Sequence, residues 1–312
     1  MAKRLQNRIS GSRFALPFTA LYGTAVWLTG GLYHMQWWVQ FACFVLSVLL
    51  MVELNNSNAL IRIYSRMVSC SFIVLSVMPT FLMDSIREAA CATLMTAAYL
   101  PLFHSYQNRA AAGPVFYSFL LTGIASLFYV HILVFIPVIW LMMATNLQSM
   151  SRRTMAASLI GTVTPYWFAT LYYIYYASPA EALDHFRPLT VMPQLPDYTP
   201  MTVGMMLTAA FMAVIAITGT VHYIRTSYND KIRTRMIYNC FILMTVTAAA
   251  LLAAFPQHYD MLTRMLAINI APLAAHFLAL TKTRITNIAF CIIVAAAVAI
   301  TGYNLWISSP LF

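Results

Sequence analysis

The sequence predicts an all-α protein, a polytopic bundle of transmembrane helices with about 11 spans, a cytoplasmic N-terminus and an outward-facing C-terminus. Hydrophobic residues make up 61% of the 312 positions and charged residues only 8%. Apolar runs near the ~20 residues that cross a bilayer recur along the whole chain. The distribution of basic residues between loops sets the orientation, because basic residues in short loops are retained on the cytoplasmic side.

The predicted spans follow one another with short gaps. In chain order they are 14–34, 37–54, 60–81, 88–104, 114–129, 131–148, 154–177, 201–224, 236–255, 260–281 and 285–307. With the N-terminus inside, 15 of the 18 Lys and Arg residues lie in the basic segment 1–13 or in alternate gaps. Six of the eight carboxylates lie in the opposite gaps. The charge bias therefore agrees with the parity of every loop.

The charge bias also bears on Pro114–Gln148, which fits either one over-long helix or two short ones. A single crossing would put Arg109 and the Arg152–Arg153 pair on opposite sides. Two short crossings, or a re-entrant pair, keep both on the cytoplasmic side. The turn is then expected near Phe128–His131, with Pro137 bending the second half. Whether the segment crosses twice or is re-entrant stays open.

The chain is expected to form a single membrane-embedded domain over residues 1–312. Its longest polar stretch, the outer loop Ser178–Pro200, is too short to fold alone, since cores below ~40 residues usually need additional staples. Ser178 and Glu181 form a capping box that predicts a short interfacial helix ending near Phe186. Prolines keep the rest extended. A passive connector and a functional lid are both compatible with this loop.

Composition excludes several classes of function. The basic residues behind the net charge of +10 are scattered over separate loops without a continuous stripe. No nucleic acid partner is therefore expected, and membrane lipid is the expected partner. The five cysteines include no CxxC pair, which argues against a thiolate metal site. No phosphate-binding loop, dinucleotide fingerprint or GxSxG elbow occurs. No cofactor is predicted.

The most polar predicted helix runs from Asp260 to Thr281. Its polar residues Arg264, Asn269 and His276 fall on one face and can line the bundle interior together. An arginine inside the outer boundary costs free energy unless it is paired or functional, and Asp260, one helical turn away, is a candidate partner. The alternative is an arginine whose side chain extends to the aqueous interface.

Arg87 and Arg187 are the other two outward-facing basic residues. Carboxylates at helical pairing distance make exposed ion pairs their default interpretation. Together with Arg264, and near His185 and His258, they would suit recognition of a phosphate or pyrophosphate group, which arginine binds in a bidentate manner. Histidine or a carboxylate could supply a general base. The candidate binding residues are therefore Arg264, Asn269, His258, Asp260, Arg187, His185 and Arg87. Catalytic residues cannot be assigned.

Three histidines, His104, His222 and His276, lie toward the inner ends of their helices. They could share a metal if those helices met, but no HxxxH or HExxH pair is present, and no metal site is predicted. The inner segment Arg225–Arg235 is basic apart from Asp230. Contact with anionic lipid of the inner leaflet explains that charge.

The central third of the chain contains, in order, a small-residue helix, a Leu-Phe-Tyr turn, a basic inner loop and a Gly-x-x-x-Pro helix. This pattern, in Gly123–Trp140 followed by Ser151–Trp167, resembles an uncharacterised family of polytopic inner-membrane proteins from Bacteroidetes. The resemblance covers about half of the chain. It implies the multi-helix fold and a bacterial inner (cytoplasmic) membrane, but no activity or catalytic residues.

Three main functions remain open from the sequence, and a histidine-metal oxygenase in the bilayer is a distant fourth. The leading hypothesis is a cell-envelope protein that handles a lipid-linked glycan or polyprenyl phosphate at the outer face, with the outward arginines holding phosphate. The alternatives are a secondary transporter or flippase without its own ATPase, and a non-catalytic subunit that binds other envelope-assembly proteins. Whether the protein is an enzyme, and its oligomeric state, stay open.

Overall fold

A computed structural model describes residues 4–176, 184–190 and 196–308, and every regular element within these ranges is helical. The helices are α1 (Leu5–Ser10), α2 (Ala15–Thr29), α3 (Trp38–Asn58), α4 (Met67–Val77), α5 (Ile86–His104), α6 (Ala112–Phe128), α7 (Ile136–Thr145), α8 (Arg152–Tyr176), α9 (Arg187–Thr190), α10 (Val203–Thr226), α11 (Ile232–Ala254), α12 (Tyr259–Leu280) and α13 (Arg284–Ser308). Short 3₁₀ turns lie at Thr80–Leu82, Val130–Phe135, Ser227–Asn229 and Pro256–His258. The predicted all-α class is confirmed.

Each predicted span overlaps one of these helices. Among the described residues, five helices are long and apolar enough to cross a membrane: α3, α10, α11, α12 and α13. By contrast α4, α6 and the stretch Val130–Thr145 are shorter apolar helices. The count of about eleven crossings and the orientation of the termini stay predictions.

The chain divides into two compact units, Met1–Ile86 with Tyr198–Phe312, and Arg87–Asp197. Helix α12 lies at the centre of the first unit and contacts α4, α10 and α11. The apolar window of α12 is 89% buried, whereas those of α3 and α13 are 17% buried. Helix α12 is therefore covered on nearly all sides, and α3 and α13 present most of their surface outward.

Small and polar side chains set the spacing between helices of the first unit. A Cβ at Gly219 of α10 would lie 2.8 Å from the carbonyl oxygen of Leu273, so this glycine allows α10 and α12 to approach closely. Asn304 of α13 donates to the Met78 carbonyl at 2.8 Å and to the Thr208 hydroxyl at 3.1 Å. These hydrogen bonds tie α13 to the end of α4 and to α10.

A residue with left-handed backbone conformation, Ala59, ends α3 and begins the loop 59–66, which reaches the candidate site. Ala59 has a φ of 48°, and the next amide, of Leu60, donates to the Asn55 carbonyl at 3.3 Å. The chain then runs without a helix until α4 begins at Met67. Residues 59–66 thus form a connecting loop, although the prediction placed the start of a span at residue 60.

In the second unit, α6 packs closely against α8. A Cβ at Gly123 would lie 2.7 Å from the Thr162 carbonyl oxygen, and one at Gly161 would lie 2.6 Å from that of Phe116. Helices in membranes associate through such small residues because their backbones can then come into contact. The two glycines place the axes of α6 and α8 close together.

The second unit also shows how the chain runs between Arg109 and Arg152. The Ser151 hydroxyl donates to the Arg109 carbonyl at 2.6 Å, and the Gln107 amide donates to the Leu147 carbonyl at 2.7 Å. The two basic loops are therefore in contact, so the intervening chain leaves this end and returns to it. This arrangement agrees with two helical segments rather than one long helix.

Pro137 lies in the first turn of α7, directly after the 3₁₀ turn Val130–Phe135, where the helical stretch Val130–Thr145 changes from 3₁₀ to α geometry. Its expected role in bending this stretch stays a prediction. Proline is tolerated in a first turn because its missing N–H would have no intrahelical partner there.

The predicted interfacial helix from Ser178 to near Phe186 lies mostly outside the described residues, as does much of the proline-rich stretch after it. The described part, 184–190, includes the short helix α9. It contacts the turn Val130–Phe135, and the His185 ring hydrogen-bonds the Ser126 carbonyl at 3.1 Å. Its role as connector or lid stays open.

Candidate functional site

Asp230 is a buried carboxylate in the loop that joins α10 to α11. Its side chain is only 2% exposed. Burial of a carboxylate is costly unless charged or hydrogen-bonded partners replace water. Such partners are brought by α12 and by the loop 59–66, and Asp230 therefore joins three parts of the first unit.

The main partner of Asp230 is His276 of α12, whose Nε2 lies 3.0 Å from the carboxylate Oδ2 and whose side chain is fully buried. The second ring nitrogen of His276 lies 3.2 Å from Nδ1 of His222 on α10. The three side chains form a continuous hydrogen-bonded array, which we call the Asp230 array: Asp230, His276 and His222.

Aromatic side chains fix the position of His276. The rings of Tyr223 and Tyr238 meet its imidazole edge to face, with centroids 5.5 and 5.1 Å away, and stack on each other at 4.9 Å. The Tyr223 hydroxyl donates to the Arg235 carbonyl at 2.9 Å, and that of Tyr238 to the Pro272 carbonyl at 3.3 Å. Because these rings are anchored, the imidazole of His276 has little freedom to rotate.

Two arginines give this end of the unit a positive charge. Nη1 of Arg62 lies 3.7 Å from the Asp230 Oδ1, and its side chain is 38% exposed. Arg233, near the start of α11, donates to the Asn58 side chain at 3.0 Å and so joins α11 to the end of α3. The Arg62 side chain therefore lies near the buried carboxylate and is also partly exposed at the surface of the unit.

A cavity of about 350 Å³ lies in the first unit, bounded by α2, α4, α10, α12 and α13. Its lining is almost wholly apolar, with Thr19, Tyr22, Cys70, Ser71 and Thr218 as the polar exceptions. Among the lining residues, Phe18 is 70% exposed, Val298 50% and Val294 45%. The cavity can therefore be reached from the side of the helix bundle, between α2 and α13.

One side chain connects the cavity with the Asp230 array. Phe277 lines the cavity, and its ring meets the His222 imidazole edge to face at a centroid distance of 5.5 Å. Thr218, another lining residue, lies one helical turn before His222 on α10. Phe277 thus contacts both the apolar cavity and the hydrogen-bonded array.

The array is not arranged as a metal site. Both ring nitrogens of His276 are used, one by Asp230 and the other by His222. Within the part of the chain that the structure describes, no group of three or more His, Cys, Asp or Glu residues is placed to hold a metal ion. Of the three inner histidines considered together, His222 and His276 meet, and His104 belongs to the second unit.

The candidate residues at the start of α12 lie within the first unit. Arg264 donates to the Leu82 carbonyl, and the Asn269 side chain donates to the Met265 carbonyl one turn earlier at 2.8 Å. His258 ends the 3₁₀ turn before α12, and Asp260 lies in its first turn. Arg264 and Asn269 thus donate guanidinium and amide N–H groups to backbone carbonyls, which is a common way to satisfy buried donors.

The remaining candidates belong to the second unit. Arg87 and Arg187 are exposed, and His185 bonds the Ser126 carbonyl. The Tyr166 hydroxyl lies 2.7 Å from that of Ser126, and its ring is 6.0 Å from the His185 ring. A phosphate site formed jointly by Arg87, Arg187 and Arg264 stays a prediction.

The sequence interpretation did not predict a role for Asp230 and counted it only as one negative charge in the basic segment Arg225–Arg235. A usable signal was present, because only Glu53 and Asp230 lie on the side that the charge bias assigns to the cytoplasm. Testing the rule for carboxylates as well as for arginines would have drawn attention to these two residues, of which the structure buries Asp230 and exposes Glu53. Its partners His276 and Arg62 are far away in the chain and could not be found in this way.

The described helices define an α-helical protein whose apolar elements are typical of a membrane-embedded chain. No family model, curated protein or solved structure matches the sequence. Function must therefore be inferred from the cavity and the Asp230 array themselves.

Proposed function

We propose that this membrane protein binds a lipid with a phosphate-bearing head group, placing part of the lipid tail in the apolar cavity and the head group beside His222 and Arg62. The observation that carries the proposal is that Phe277 contacts both the apolar cavity and the Asp230 array, beside which the Arg62 guanidinium lies. Polyprenyl phosphate, free or linked to a glycan, is the ligand class that we favour.

The cavity has the properties expected for a hydrocarbon tail. Its volume of about 350 Å³ falls within the roughly 300–1,000 Å³ typical of ligand sites. Polar groups are few, so water gains little by filling it, whereas hydrocarbon fits its lining. The exposed rim residues Phe18 and Val294 give a lipid an entry route from the bilayer.

The charges near His222 favour an anionic head group. Arg62 is partly exposed, and a guanidinium binds phosphate oxygens through two parallel hydrogen bonds. The surrounding segment Arg225–Arg235 carries four basic residues against one carboxylate, which attracts anionic lipid.

The proposed head-group site at Arg62 lies in a different place from the phosphate site that the sequence predicted at the outward-facing arginines. The predicted topology puts the Asp230 array at the cytoplasmic end, whereas Arg264, Arg187 and Arg87 would bind phosphate at the outer face. The ligand class is shared between the two hypotheses. Variants at Arg62 and at Arg264 therefore distinguish them.

Filling the cavity is expected to expel the tail. Ala297 of α13 lines the cavity and is 2% exposed, while Ala295 on the same helix is exposed and lies outside the lining. We expect Ala297→Phe to lower the amount of bound polyprenyl phosphate at least about fivefold, because the ring occupies the space of the tail. Native mass spectrometry of protein released from nanodiscs measures this occupancy.

Ala295→Phe is the matched control and is expected to bind like the wild type. Val294→Trp, at the rim, offers a second variant if Ala297→Phe fails to fold. Unchanged occupancy in folded protein with either cavity substitution would place the lipid elsewhere and refute the proposed tail site.

Removing the Arg62 charge is expected to weaken recognition of the head group. Arg62→Gln should reduce affinity for polyprenyl phosphate about tenfold, since a hydrogen bond to a charged group contributes about 1.5–3 kcal/mol. Binding of the neutral polyprenol should change little. Arg66→Gln removes one charge from the same loop, and Arg66 hydrogen-bonds the Asn56 side chain instead. Equal losses in both variants, or a loss only in Arg264→Gln, would contradict a head-group site at Arg62.

A further inference from the structure

The Asp230 array has a fixed direction of hydrogen bonding. A carboxylate only accepts, so the bond to Asp230 Oδ2 requires the proton of His276 to lie on Nε2. Nδ1 of neutral His276 is then an acceptor, and Nδ1 of His222 must donate to it. The lone pair of His222 therefore lies on Nε2, at the end of the array opposite Asp230.

We propose that the Asp230 array is a proton relay that takes up a proton at Nε2 of His222 and delivers it to Asp230. As Nε2 of His222 binds the proton, its Nδ1 proton passes to Nδ1 of His276. The Nε2 proton of His276 passes at the same time to Oδ2 of Asp230. Both imidazoles end neutral in the opposite tautomer, and the carboxylate ends as a carboxylic acid.

The geometry suits this transfer. Both steps cross single hydrogen bonds, of 3.2 and 3.0 Å, and the anchored rings of Tyr223 and Tyr238 hold His276 between its partners. His276 is fully buried and Asp230 nearly so, whereas His222 is partly exposed, so His222 is the entry point. Histidine is the side chain best suited to carry protons near neutral pH.

The charged and titratable groups around Asp230 come from each neighbouring element. They are Arg62 from the loop 59–66, His276 from α12, Tyr223 from α10 and Tyr238 from α11. Arg62 is the cation that compensates the carboxylate. When Asp230 becomes neutral, the guanidinium loses this partner and is released toward the head-group position. Proton uptake would thus strengthen binding of an anionic lipid, although the relay itself does not depend on the lipid.

The resting tautomers provide the first test. In ¹⁵N-histidine-labelled protein in nanodiscs at neutral pH, we expect His276 as the Nε2–H tautomer and His222 as the Nδ1–H tautomer. His222→Gln and His276→Gln assign the two signals by their loss. The opposite tautomer at either position would overturn the proposed direction of the array.

The kinetics of protonation provide the second test. After a drop in pH, the carbonyl band of protonated Asp230, identified by its loss in Asp230→Asn, is followed by time-resolved infrared spectroscopy in D₂O. His222→Gln keeps a donor for His276 but cannot pass a proton on. We expect it to slow the appearance of the band at least tenfold, whereas His104→Gln, in the second unit, leaves the rate unchanged. An unaltered rate in folded His222→Gln protein would show that Asp230 is protonated by another route.

The two proposals can fail separately. Loss of lipid binding in Ala297→Phe with normal tautomers and rates would support both. Normal relay behaviour in a protein that binds no lipid would remove only the lipid proposal.

Discussion

His276→Leu is expected to lower the free energy of unfolding by about 3 kcal/mol, because it leaves the buried Asp230 carboxylate without its hydrogen-bond donor. Arg62, with its side chain 38% exposed and 3.7 Å away, cannot replace a direct bond inside the unit. Leucine is close in size to histidine, so loss of packing is a minor part of the effect. Reversible unfolding in mixed dodecyl maltoside and SDS micelles measures the difference.

Asp230→Asn should lower the free energy of unfolding in the wild type but raise it in the His276→Leu variant. In the wild type, the substituted amide would accept only a neutral hydrogen bond, so we expect a loss of about 1 kcal/mol. In the His276→Leu background the same change removes a buried charge that has lost its direct hydrogen-bond donor, and it should restore at least about 1 kcal/mol. Additive losses in the double variant would show that the two side chains do not depend on each other. The variant His104→Leu, in the second unit, controls for the general cost of losing a histidine.

The helices were predictable because hydrophobic runs are a local signal. Each of the eleven predicted spans overlaps one described helix, and the hydrogen bond from Ser151 to Arg109 agrees with the split of Pro114–Gln148 that the charge bias favoured. The end points were less predictable. Residues 60–66 are apolar enough to extend a span, but the left-handed Ala59 and the contact of Arg62 with Asp230 keep this segment in a loop.

The site was less predictable because its partners are distant in sequence. His222 and His276 lie 54 positions apart, and only the close approach of α10 and α12 at Gly219 brings their rings together. Helical periodicity gives α12 one polar face, yet the helix is covered on nearly all sides. Its polar residues therefore meet different neighbours: Arg264 bonds the Leu82 carbonyl, and His276 bonds Asp230.

The close contact between α6 and α8 gives the second large expected effect, in the second unit. Gly123→Leu should destabilise the protein by about 2–3 kcal/mol, because the new Cβ would lie 2.7 Å from the Thr162 carbonyl oxygen and 3.1 Å from the Thr162 Cα. Both neighbouring atoms are backbone, so a change of side-chain rotamer cannot relieve the overlap. The two helices would have to separate, and the contacts along their shared face would weaken with them.

Gly113 provides a matched control on the same helix, since a Cβ there would meet nothing within 4 Å. Both substitutions replace glycine by a better helix former, a change worth up to about 1 kcal/mol in favour of the folded state. Gly113→Leu should therefore be neutral or stabilising, and Gly123→Leu clearly destabilising, in the same SDS unfolding measurement. Similar unfolding free energies for the two variants would mean that α6 and α8 are not in backbone contact at Gly123. A selective loss in Gly123→Leu would instead show that the small-residue contact between α6 and α8 stabilises the second unit.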